Sequence, residues 1–126
     1  MKKNFNTNSI AAKLFNGLGR MLKKEDLGSG LTRMVSGTYY FMGTKTTPIE
    51  GRDTALAVFT NADESRIFSC GAAKFAAFLG AVGKDEQMSA LENPDLVGNE
   101  YKIKVEGEGR DKVITFEATE TRNNRR

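Results

Sequence analysis

The residues of this chain that could do chemistry are lysines, arginines and aromatic rings, because the usual catalytic types are missing. Histidine is absent and Cys70 is the single cysteine. Zinc sites of the usual nitrogen and sulfur type therefore cannot be assembled. Neither a Ser-His-Asp nor a Cys-His nucleophile can be built, and no paired acidic motif marks hydrolysis by two carboxylates. Gly107-Glu108-Gly109-Arg110 is a fragment of a phosphate-loop pattern, but it joins two strand-like runs and precedes no helix, so it reads as a hairpin. Cys70 stands before a helix N-terminus, where a thiol pKa can fall; with no base nearby in the sequence it reads as a buried structural cysteine. What remains is binding. Cationic side chains neutralise phosphates and flat rings stack on bases, which is the chemistry of single-stranded nucleic-acid recognition.

Charge distribution points the same way. Residues 1–34 hold seven Lys/Arg against two Asp/Glu, residues 35–100 five against nine, and residues 101–126 seven against five. Basic ends around an acidic middle fit a negatively charged partner, nucleic acid or a lipid surface, with plain solubility as the alternative. At 126 residues the chain can bury a real core within one domain. No apolar run approaches about 18 residues, so no transmembrane segment is expected. Met1-Lys2-Lys3-Asn4 resembles a signal-peptide start, but Lys13, Asn16 and Arg20 interrupt the apolar stretch that a leader would need next. A non-enzymatic cytoplasmic protein (host cytoplasm if viral) without cofactor or metal is the expectation.

Periodicity gives the elements that must position these residues. Ser9 can cap a helix starting at Ile10, and Ile10, Leu14, Leu18, Met21 and Leu22 form an apolar stripe beside Lys13, Arg20, Lys23 and Lys24. This basic amphipathic segment of about four turns is weakened by Gly17 and Gly19, roughly 1 kcal/mol each. It could pack on its own domain, contact a neighbouring subunit, bind phosphates or lie on a membrane surface; self-association through residues 9–25 is the expectation. A flexible joint over Leu27–Leu31 leads to strands at Ser36–Gly43, Thr54–Phe59 and Ser65–Cys70, with a ten-residue loop Thr44–Asp53 after the first. A small-residue helix comes next, with Ala72, Phe75, Ala76, Leu79 and Val82 on one stripe and Gly83 as terminator. Tyr101–Glu106 and Lys112–Thr119 pair around a glycine-rich turn, with Tyr101, Ile103 and Val105 facing in and Lys102, Lys104 and Glu106 facing out. The organisation is a basic N-terminal extension (1–34), a mainly β body (35–120) and a basic tail (121–126).

Five strands with one helix between the third and fourth is an element order that resembles an OB-fold, a small Greek-key barrel. The resemblance covers residues 36–120 and rests on order and spacing. Within that class the layout is similar to the small single-stranded DNA-binding proteins of phages and plasmids. One departure is the tail Thr121–Arg126, which is basic where many such proteins end in acidic residues. The resemblance implies a groove lined by the second and third strands and by the loops joining strands one–two and four–five. Lys45 and Arg52 then fall on the first of these loops and Arg110 on the second. Arg66, Lys102, Lys104 and Lys112 add charge on or beside the sheet. Candidate stacking rings are Tyr39, Tyr40, Phe41, Phe59 and Phe68. Strand alternation sets Tyr39 and Phe41 opposite Tyr40, so one of these sets fills the core; Tyr40 and Phe68 are the rings favoured as platforms. The function expected is binding of single-stranded nucleic acid, most plausibly DNA, with little sequence preference, as in phage or plasmid replication. The alternative is a viral structural or interaction scaffold whose N-terminal helix mediates assembly or inhibition, and a membrane-surface protein is a third reading.

Overall fold

A computed structural model describes residues 3–19, 21–23, 31–80, 91–107 and 113–118. Arg110 and Lys112, the tail 121–126, residues 24–30 and the stretch 81–90 lie outside the described residues. Among the described residues the fold is mainly β: one six-stranded sheet, curled into a half-barrel, with two short α-helices. In chain order these are α1 (Ile10–Gly17), β1 (Leu31–Arg33), β2 (Gly37–Ile49), β3 (Arg52–Thr60), β4 (Ile67–Gly71), α2 (Ala72–Phe78), β5 (Glu100–Glu106) and β6 (Val113–Ala118). The sheet order is β1-β4-β3-β2-β5-β6. Strands β2, β3 and β4 form consecutive antiparallel pairs, and β5 returns through α2 to lie antiparallel beside β2. That spatial order is a Greek key. Strand β1, three residues long and too short for periodicity to reveal, runs parallel to β4 at the edge. Among the described residues no helix is long and apolar enough to cross a membrane.

Strand β2 organises the sheet. Its first residues pair with β5 (Thr38 with Lys102, Tyr40 with Glu100) and the rest pairs with β3, with a bulge between Phe41 and Gly43. The expected ten-residue loop is not there. Strand β2 runs on through Thr44–Ile49 and turns at Glu50-Gly51, whose φ values of 51° and 78° give a two-residue hairpin turn with both central residues left-handed. Pro48 makes the segment read as a loop. It is tolerated because the described pairing of this half of β2 with β5 has ended, so a missing N–H costs no bond there.

Each face of the sheet carries one helix. In the hollow, Phe75 of α2 meets Phe41, Phe59, Tyr101 and Phe116 at ring-centroid distances of 5.0–5.2 Å. Met34, Tyr39, Phe68, Cys70 and Ile103 belong to the same core. On the outer face, Ala11, Leu18 and Leu22 bury against Met42, Val58 and Ile67, with Phe5, Leu14 and Phe15 packed around them. Helix α1 begins as expected, with the Ser9 hydroxyl accepting from the Ala12 N–H. It spans eight residues rather than four turns. Its stripe finds an apolar partner on the chain's own sheet. Of the five stripe residues only Ile10 and Met21 stay exposed, so much of the apolar surface expected to drive self-association through residues 9–25 is covered by the chain's own sheet.

Candidate nucleic-acid interface

Strand alternation decides which candidates share a face. Tyr39 and Phe68 both point into the hollow and are buried. Phe68 does so because its register partner is Phe59. The two rings lie 4.8 Å apart, and the Tyr39 hydroxyl donates to the Val35 carbonyl at 2.8 Å. The Arg66 guanidinium closes over Phe68 at 5.3 Å and donates to the Thr32 hydroxyl at 3.1 Å. These two rings belong to the core, and Arg66 pins β1 to β4; the expectation that Phe68 is a platform is corrected on this ground.

Tyr40 points to the outer face and is half-buried. Burial raises the pKa of its hydroxyl, and the charge and hydrogen bond of Glu100 raise it further. The Lys3 ammonium stands 5.4 Å from the centre of its ring. On the same face Lys102 and Lys104 project from β5 into solvent. Between them and β2 the surface sinks into a trough of about 390 Å³, lined by Ser36, Gly37, Thr38, Lys102, Lys104 and Thr115 among others. Ser36, Thr38 and Thr115 carry short side chains on this face, and that leaves the trough open between the lysines. Sequence periodicity does not reveal these short residues as a site, because the pairing of β2 with β5 and of β5 with β6 is what sets them beside the lysines.

The charge of this open face is balanced, with Lys3, Lys102 and Lys104 set against Glu100, Glu106 and Glu117. Lys104 lies 3.8 Å from Glu106, and Lys102 is registered opposite Glu117. Arg52 is exposed at the start of β3. Eleven residue steps along β2 lead from Thr38, which faces Lys102, to Ile49, which faces Arg52; at the usual rise that is roughly 30–35 Å of strand. The described residues thus bring Tyr40, Lys102 and Lys104 onto one face and leave Arg52 and Arg66 elsewhere.

Lys45 is not on a loop. It sits mid-strand on the outer face, 7% exposed, beneath Phe15 of α1, with its ammonium 4.0 Å from the ring centre. Burial lowers its pKa below the ordinary lysine value of 10.5. Between that lowered value and 10.5 the unfolded chain binds more proton than the folded one, so this lysine makes stability climb with pH in that alkaline window. Tyr39 and Tyr40, whose pKa values are raised, pull the other way at high pH. Lys45→Met is therefore expected to raise neutral-pH stability by about 1–2 kcal/mol. The gain over the parent protein should shrink as pH rises through the window, as read by urea unfolding at matched pH.

No protein-family model, no curated protein and no solved structure matches the chain. Among the described residues no three His, Cys, Asp or Glu side chains gather where they could hold a metal ion.

Proposed function

We propose that the protein is a non-enzymatic binder of single-stranded nucleic acid, with DNA as the favoured ligand and little sequence preference, built on an OB-like barrel. The observation that carries this reading is the trough at Gly37 and Thr38, set between Lys102 and Lys104 and continued along β2 by the half-exposed ring of Tyr40. Two ammonium groups beside short hydroxyl-bearing side chains suit phosphates and sugars, and a neighbouring ring suits a base. The Greek-key order with a helix before β5 supports the barrel assignment. The fold alone assigns no function, and the reading rests on this site.

The test is residue by residue. Tyr40→Leu is expected to weaken binding of oligo-dT by roughly 1–3 kcal/mol with little loss of stability. Lys102→Ala combined with Lys104→Ala should lower affinity and flatten its salt dependence. With two or three phosphates neutralised by described lysines, the slope of log K against log salt should be about −1.4 to −2 and should lose roughly 1.4 in the double variant. Unchanged affinity in all of these variants, with the parent protein binding, would move the site off this face.

A further inference from the structure

The outer face of β2 does not end at Tyr40. Beyond the bulge the same face continues through Gly43 and Lys45, and there it is covered by Phe15. Gly43 has a φ of +149°, and a Cβ placed on it would lie 2.9 Å from the Phe15 Cζ. The tip of the ring thus meets bare backbone, at a point where no side chain could stand. Over the same ring stands Lys45, more than nine-tenths buried. Its ammonium makes no hydrogen bond or ion pair with any described residue; the Phe15 ring is its one described partner. A buried cation whose partner among the described residues is a ring face is costly to keep.

The cover is lightly held. Helix α1 has eight residues, too few to be stable alone. Its approach is fixed by polar contacts to the turn after β3. The Glu64 carboxylate accepts from the Asn6 N–H at 3.0 Å and pairs with Lys3 at 3.5 Å, and the Glu64 carbonyl accepts from the Ala11 N–H. Phe15 itself is only partly buried, packed against the outer core rather than within it.

We propose that Gly43 and Lys45 form a second subsite for one nucleotide of a bound single strand, and that Phe15 fills the place of its base in the free protein. Resting on the function proposed above, this makes α1 a gate on the site. A strand entering at Lys102 and Lys104 passes Tyr40 and reaches Gly43, where a base replaces the Phe15 ring and a phosphate meets Lys45.

The protein has no tryptophan, so Phe15→Trp places a single tryptophan, excited apart from the tyrosines at the red edge, on the gate while keeping an aromatic ring there. This variant is titrated into labelled oligo-dT, with anisotropy reporting binding, and tryptophan emission of the variant with and without saturating unlabelled oligo-dT reports the ring. The expected result is a rise in anisotropy with a red shift of the emission as the indole moves into water. A rise in anisotropy with an unmoved maximum overturns the gate and leaves the proposed function standing. So does quenching at an unmoved maximum, which would mean that the ring receives a base rather than yields to one. No anisotropy change in either the variant or the parent protein removes the proposed function and the gate with it. As a second arm, Phe15→Ala should bind oligo-dT several-fold tighter than the parent, and adding Lys45→Met should cancel the gain. A gain that survives Lys45→Met overturns the subsite.

Discussion

Phe75→Ala is expected to destabilise the fold by about 3–5 kcal/mol, because the ring it removes is the one that joins both halves of the sheet. Phe75 is fully buried and meets Phe41 and Phe59 from β2 and β3 on one side and Tyr101 and Phe116 from β5 and β6 on the other. Deleting it leaves a cavity lined by rings that are themselves held by backbone pairing and cannot easily collapse inward. A domain of this size is stable by about 5–15 kcal/mol in total, so the loss is a large share of the whole. Chemical denaturation with circular dichroism reads it. A cost below about 1 kcal/mol would mean that α2 is not the hub of this core.

The second large effect concerns the chain before β2. A chain beginning at Val35 lacks α1, β1 and Met34, and it is expected not to fold stably. Three residues of the outer core, Met42, Val58 and Ile67, are at most 7% exposed with that segment in place and would face water without it. The edge of β4 would lose its parallel partner as well. Removing Leu18 and Leu22 alone forfeits roughly 3–6 kcal/mol of burial. A cooperative unfolding transition of parental midpoint in the shortened chain would show that the outer core is dispensable. By strand count alone, residues 35–120 hold enough to close a barrel without the extension. The stripe of Leu14, Leu18 and Leu22 announces that it needs an apolar partner but not where that partner lies.

That contrast runs through the whole molecule. Local periodicity is readable: Tyr101, Ile103 and Val105 face the core and Lys102 and Lys104 face water, as their alternation requires. The start of α2 at Ala72 is readable from the small residues after a strand-ending Gly71. The opposition of Tyr39 and Phe41 to Tyr40 is readable from strand parity, and the core takes the first set. Properties set by pairing are not readable. Phe68 is core because of its register against Phe59, and register with a distant strand leaves no mark on the residues themselves. Lys45 reads as a loop cation because Pro48 and Gly51 lie just beyond it, and its cover comes from Phe15, thirty residues earlier. Glu64, which ties Lys3, Asn6 and Ala11 to the turn after β3, reads as a solvated surface acid.

The central claim is that the outer face of β2 and β5 takes a single strand. Its most direct test is titration of the full chain into labelled oligo-dT and into a duplex of equal length, over a series of salt concentrations starting near ~50 mM. The account expects tighter binding to the single strand, weakening with salt on a shallow slope. Equal affinity for the duplex, or no binding at tens of micromolar protein at the lowest salt, would contradict it.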